Sequence, residues 1–230
     1  MTTPVTDERP SVRLYRYMKA EHAMAAIEHR ELRVSRIDEL NDPFEFSLAI
    51  IPPVKHPLAE DTEEKRILVK GFNETTGLIC FSEESTLTDP VMWSHYSEGH
   101  KGIALGFDYL LGESLVSMTY PNTRPTLKRS ELMTMTFAQR STKIKEGLIA
   151  KAPGWSYEAE RRVLIDLTKC KIRAGHYFTS IKDDFLKHVI LGIRCKASPN
   201  FIKHLLTQSK FSDVQVTQAQ LSQTEFKVVV

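Results

Sequence analysis

Val12-Arg13-Leu14-Tyr15-Arg16-Tyr17 alternates in period two and is rich in β-forming side chains, which predicts a first strand. From Lys19 to His29 the period lengthens, and Ala20, Ala23, Met24 and Ile27 recur at helical spacing. Glu31-Leu32-Arg33-Val34-Ser35 returns to a strand pattern. Strand, helix and strand in so short a span imply compact α/β or α+β packing. Gly77–Ser82 is a nearly continuous apolar run, suited to burial on both faces. Further strands are expected over 102–107, 115–120, 160–167, 185–193, 214–218 and 226–230, with helices over 63–72 and 198–208. A short helix is well punctuated: Thr88 or Asp89 caps it, Pro90 opens it and Gly99 lies just past its end. The stretch 121–153 reads as mostly helical and basic, with Lys128, Arg129, Arg140, Lys143, Lys145 and Lys151. Residues 1–11 read as a loose polar arm. Residues 36–61 form a long connection punctuated by Pro43, Pro52, Pro53 and Pro57, a length that is uncommon in compact domains and often functional. No repeat or low-complexity linker divides the chain, so one mixed domain over 12–230 is expected.

Composition narrows the class. The 230 residues are 41% hydrophobic and 26% charged, which is ordinary globular usage. No run of apolar residues is long enough for a membrane-spanning helix, and the polar N-terminus does not read as a secretory signal. Thirty-one basic against 29 acidic residues leave a net charge of +2, so no global attraction to nucleic acid or anionic lipid is expected. Cys80, Cys170 and Cys195 are widely spaced without a CxxC pair. That argues against a disulfide framework and a zinc site, and makes a reducing cytoplasm the default location.

Three constellations could carry chemistry. In Asn41-Asp42-Pro43-Phe44-Glu45, Asn and Asp before Pro suit a tight turn. Its phenylalanine either plugs the core or lines a ligand cleft. In Met92-Trp93-Ser94-His95-Tyr96, helical spacing brings Trp93 near Tyr96 and Met92 near His95. An aromatic-rich short helix is more often core than binding site, and a helix histidine more often structural than catalytic. Cys80 is no partner for His95 in thiol chemistry, because its apolar run keeps a thiol inert. In Tyr157-Glu158-Ala159-Glu160-Arg161, two carboxylates at a strand entrance would share one face. Such a pair is solvated, compensated by cations, with Arg16 or Arg161 as candidates, or used in chemistry. The glycine-rich nucleotide motifs, HExxH and G-x-S-x-G are absent.

LYRY at 14–17, NDPFE at 41–45, CFS at 80–82, MWSHY at 92–96, GIALGFD at 102–108 and WSYEAERRVLI at 155–165 together resemble one bacterial family, the domain of unknown function numbered 2971. That resemblance spans about residues 12–195 and brings no settled activity with it. The layout also resembles ADP-ribosyltransferases, in which a split β-sheet core with flanking helices holds NAD across a cleft. This second resemblance implies an α+β fold and NAD as substrate, with no metal. Glu160 would be the catalytic glutamate, with Glu158 as its upstream partner. Arg16 would be the first-strand basic residue, with Arg13 competing for the role, and Ser82 the central-strand serine. Tyr17, Phe44, Trp93, His95 and Tyr96 would complete the dinucleotide site. The implied activity is transfer of ADP-ribose to a macromolecule, or NAD hydrolysis, in a bacterial toxin, effector or phage-defence setting. The competing expectation is a non-catalytic module binding a small ligand or a protein. That alternative requires Glu158 and Glu160 to be satisfied by Lys or Arg. Nucleic-acid engagement through 121–151 is a third, weaker expectation, since a charge run is usually a solvated helix face. No membrane partner is expected, and the sequence is silent on oligomeric state.

Overall fold

A computed structural model describes residues 11–42, 44, 49–51, 70, 73–110, 115–128, 131 and 134–230. Apart from Ser11, the expected N-terminal arm lies outside the described residues. So do Pro43, Glu45, Pro52, Pro53, Pro57, Arg129 and, except for Lys70, the helix expected over 63–72.

Strand β1 (Ser11–Met18) leads into helix α1 (Ala20–His29) and strand β2 (Glu31–Val34). Strands β3 (Ala49–Ile51) and β4 (Thr76–Glu83) come before helix α2 (Pro90–Tyr96). Strands β5 (Ile103–Leu110), β6 (Leu115–Ser117) and β7 (Thr126–Lys128) precede helix α3 (Phe137–Ile149). Strands β8 (Glu160–Asp166), β9 (Lys171–Arg173), β10 (His176–Ser180) and β11 (Leu186–Leu191) follow. Helix α4 (Pro199–Gln208) and strands β12 (Gln215–Gln218), β13 (Gln220–Leu221) and β14 (Val228–Val229) come last. The fold is mixed α+β. Its chain divides into two compact units, Met1–Leu32 with Phe81–Leu115 and Ser180–Val230, and Arg33–Cys80 with Val116–Thr179.

In the first unit the strands run in the order β12-β11-β5-β1, with the end of β4 beside β1. β11 and β12 are parallel, and the other neighbours are antiparallel. Alternation puts Leu14 and its cross-strand partner Phe107 on one face, where Phe81 and Phe185 pack edge-on or tilted against Phe107. Tyr15, Gly106, His188 and Ser82 lie in one register row and share the other face. Gly106 is required there: a Cβ would stand 2.7 Å from Tyr15 Cε1 and 2.9 Å from His188 Cβ. Helix α2 starts as expected. Asp89 accepts a hydrogen bond from the Val91 amide 2.8 Å away, and Pro90 fills the first turn.

In the second unit the first part of β4 neighbours β8, and β8 neighbours β6. Ile37, Leu78 and Leu148 form its buried centre, with Leu40, Cys80 and Leu164 against them. The stretch 121–153 is less helical than its pattern suggests, since Pro121 and Pro125 bound a turn and β7 follows. Helix α3 starts only at a capping box between Thr136 and Gln139. The β9–β10 hairpin escaped the hydrophobic pattern because its first strand, Lys171-Ile172-Arg173, is wholly exposed. It turns on Ala174 and Gly175, both at positive φ (50° and 78°).

Gly106→Ala forces Tyr15 and His188 apart and is expected to lower stability by roughly 1–3 kcal/mol. Urea unfolding should show a lower midpoint at an unchanged slope.

Candidate functional site

The second unit gathers four charged side chains. Glu158 ends a 3₁₀ turn opened by Pro153, and Glu160 starts β8. Between them Ala159 sits in the left-handed region, at φ 40° and ψ 52°. The two carboxylates therefore converge through a left-handed residue rather than by simple strand alternation. They converge on Lys151, whose ammonium donates to Glu158 and, at 3.0 Å, to Glu160. Lys151 is held in place by its backbone: its N–H donates to Thr119 O at 2.9 Å, just past the end of α3. Arg162, two residues after Glu160 and so on the same strand face, donates from Nε at 2.6 Å and Nη2 at 3.2 Å to the two Glu160 oxygens. Its Nη1 donates to Leu148 O at 3.3 Å. All four side chains are buried. Lys151 and Arg162 thus compensate the carboxylates, where Arg16 or Arg161 had been the expected candidates. Arg161 donates to the Ser117 hydroxyl.

This environment fixes the charge state. Burial alone would raise the Glu160 carboxyl. The Arg162 charge and hydrogen bonds, then Lys151 and the Cys80 thiol, outweigh burial and hold it at about 2. Burial would likewise lower Lys151, yet the Glu160 and Glu158 carboxylates push it above its ordinary range. The Tyr120 hydroxyl accepts from the Glu160 N–H at 2.9 Å, and burial raises that phenol.

Lys151 also borders a hollow of about 170 Å³ in the same unit. Its walls are Phe44, Arg124, Lys151 and two turns, 121–125 and 150–153, which hold three prolines. The Arg124 guanidinium lies over the Phe44 ring, 5.2 Å from its centroid. Lys151 lies 4.8 Å from the centre of the Trp155 ring. Asp42, the turn residue before Pro43, is buried and accepts from the Phe44 N–H at 2.9 Å.

The first unit holds a separate polar row. Over Gly106, the Tyr15 hydroxyl lies 3.2 Å from His188 Nδ1, and His188 Nε2 lies 2.9 Å from the Thr217 hydroxyl. Both ring nitrogens are engaged whichever carries the proton. Glu84 accepts from Tyr15 at 3.5 Å, and Arg13 clamps Asp108 with Nε at 2.6 Å and Nη2 at 2.9 Å. Burial and the nearby Glu84 charge push the Tyr15 phenol up to about 12. Burial, then the Arg13 charge, lower His188 despite Glu84.

The expected NAD-site residues have distinct surroundings. Trp93 is fully enclosed, donates from Nε1 to Leu87 O at 2.8 Å and meets the Tyr17 ring edge-on at 5.1 Å. The Tyr17 hydroxyl hydrogen-bonds Thr86 at 3.0 Å, so both aromatics are core in this structure. Ser82 is buried opposite Tyr15. Arg16 alternates onto the face of Leu14, opposite to Tyr17 and Ser82, whereas Arg13 shares theirs. His95 is exposed and Tyr96 half-buried, with their rings 6.3 Å apart. Of the expected set, only Phe44 shares the second unit with Glu158 and Glu160. His188, Tyr120, Arg162 and the pairing role of Lys151 went unread. For Arg162 and Arg13 the signal was present in period two. For Lys151 and His188 it was not, since their partners are set by tertiary contact.

No cluster of His, Cys, Asp and Glu suited to a metal occurs among the described residues. Nor is any helix among them long and apolar enough to cross a membrane. No family model, curated protein or solved structure matches this chain.

Lys151→Met strands two buried carboxylates and is expected to cost about 3–5 kcal/mol in denaturant unfolding at neutral pH. Glu160 is depressed from 4.5 to about 2, so its contribution is complete above its unfolded value and is lost as pH falls from there toward 2. Glu160→Gln should flatten that limb of the stability–pH curve. His188, lowered from 6.5, stabilises fully above that pH and less below it. His188→Gln should remove this earlier, separate decline.

Proposed function

We propose that this chain is a non-catalytic binding module, and that its ligand enters the hollow beside Lys151. The compensated quartet of Glu158, Lys151, Glu160 and Arg162 carries this reading. A carboxylate that stabilises a developing cation must turn uncompensated charge toward it. Here two carboxylates meet two cations, and both Glu160 oxygens already accept from Arg162. Lys151 joins this quartet and also lines the hollow. The natural work of the ion cluster is therefore to stiffen a wall of the binding site.

One observation favours a second reading, NAD-dependent ADP-ribosyl transfer to a macromolecule or NAD hydrolysis on an ADP-ribosyltransferase-like split sheet. Glu160 heads β8 and stays ionised down to about 2, at the position where the resemblance expects a catalytic carboxylate. In that chemistry the nicotinamide–ribose C–N bond breaks, its electron pair leaves with nicotinamide, and the acceptor or water bonds to the ribose carbon. Glu160 would stabilise the cationic sugar, with Glu158 beside it. Lys151 and Arg162 would have to release Glu160 first.

Calorimetry with NAD and an assay of nicotinamide release, run on the native chain and on Glu160→Gln, separate the two. The module reading expects no nicotinamide release from either protein and only a stability loss in the variant. Release by the native chain that drops by about 10²-fold or more in Glu160→Gln would establish the enzyme instead.

A further inference from the structure

We infer that the polar row over Gly106 is a proton-operated switch: on taking up a proton, His188 turns the Tyr15 hydroxyl away from the imidazole and toward the surface carboxylate of Glu84. All the groups involved belong to the first unit, so the switch stands or falls apart from the binding-module reading. The sheet is bent to bring them together. Leu186 stands opposite Phe107, yet His188, two residues on, stands opposite Gly106, the next position of β5. Plain period two would put Leu186 and His188 on one face. The bulge between them turns His188 onto the face of Tyr15 and leaves Leu186 with Phe107.

The contacts permit two arrangements. His188 Nε2 lies 2.9 Å from the Thr217 hydroxyl, and Nδ1 lies 3.2 Å from the Tyr15 hydroxyl, which also stands 3.5 Å from Glu84 Oε1. A phenol has one hydrogen, so Tyr15 donates either to Nδ1 or to Glu84. In the neutral state Nε2–H donates to Thr217, and Tyr15 donates to Nδ1, the nearer acceptor. A proton that binds Nδ1 makes that nitrogen a donor to the Tyr15 oxygen, and the Tyr15 hydrogen passes to the Glu84 carboxylate as a hydrogen bond. One proton enters and none leaves. Burial and the Glu84 charge hold the phenol at about 12, so its hydrogen is redirected rather than lost. Arg13 and Tyr15 face the imidazole from β1, Asp108 from β5 and Glu84 from the 3₁₀ turn after β4, while Lys187 is the bulge residue and β12 offers the uncharged Gln215 and Thr217. Burial and then Arg13 oppose the imidazolium, and Glu84 favours it. The receiving turn, Glu84–Thr88, also seats α2: Thr86 bonds the Tyr17 hydroxyl at 3.0 Å, and Leu87 O accepts from Trp93 Nε1 at 2.8 Å. Glu84 itself is exposed, so a proton taken up in the buried row changes what the surface presents.

The test is an NMR titration of the full chain from about pH 8 to about pH 5, with labelled histidine ring nitrogens, tyrosine Cζ and glutamate Cδ. At the upper end His188 should carry its proton on Nε2 and none on Nδ1. On acidification the Tyr15 Cζ and Glu84 Cδ signals should move with the His188 midpoint, which should lie below 6.5. Glu84→Gln should lower that midpoint by at least about 0.3 pH unit, and Tyr15→Phe should shrink the effect at least twofold. A purely structural hydroxyl would change the melting temperature of Tyr15→Phe without changing this coupling. A proton already on Nδ1 at about pH 8 overturns the switch. So does a Glu84 signal indifferent to the His188 midpoint, or an equal effect of Glu84→Gln with and without the Tyr15 hydroxyl. If Tyr15→Phe does not fold, the tautomer and the Glu84 signal of the native chain decide alone.

Discussion

A buried ammonium shared by two carboxylates sets the terms for the second unit. Taking four charged groups out of water carries a desolvation penalty of several kcal/mol per ion before pairing. Only dense, correctly directed hydrogen bonds offset that penalty. They are present here: Lys151 bridges Glu158 and Glu160, and Arg162 grips both oxygens of Glu160. Such a group tolerates little movement, because displacing any member leaves another charge buried without its partner. The segments that supply the members inherit that rigidity: the exit of α3, the 3₁₀ turn after Pro153 and the head of β8.

The same arrangement decides what the carboxylates can do. In this structure both carboxylates meet cations inside the protein, Lys151 against Glu158 and Glu160 and Arg162 against Glu160. The hollow alongside is the opposite kind of place, apolar in its prolines and Phe44, with a cation at Arg124. Lys151 thus belongs both to the buried ion cluster and to the wall of the hollow.

In the first unit a missing side chain plays the comparable part. Gly106 leaves the space in which Tyr15 and His188 meet across a strand. The row extends to Thr217 at one end and, through Tyr15, to Glu84 at the other. In the aromatic motif of α2, packing accounts for Trp93. Trp93 finds a carbonyl for its indole N–H, Ser97 donates to Trp93 O at 2.5 Å, and Tyr17 covers the indole edge. Within the motif Trp93 closes a core, whereas Tyr96 is half-buried and His95 exposed.

The chain's periodicities determined most of the elements by themselves. Period two marked β1, apolar runs marked β4 and β5, and capping chemistry marked α2, because these are local properties of backbone geometry and side-chain size. Their order implied a mixed fold, α/β or α+β. Local pattern also held two facts left unread, that Arg13 rather than Arg16 shares the face of Tyr15 and that Arg162 shares the face of Glu160. Tertiary structure alone decided the rest. The two units are interleaved, Met1–Leu32 joining segments far along the chain, so no linker or composition shift announces them. Strand β9 of the β9–β10 hairpin is wholly exposed and so carries no hydrophobic period. Which cation meets Glu158 and Glu160 depends on the backbone bond from Lys151 to Thr119 and on a left-handed Ala159, neither of which residue types reveal. Side-chain chemistry is written in the sequence, but which charge faces which, and what is left facing solvent, is a matter of distance in space.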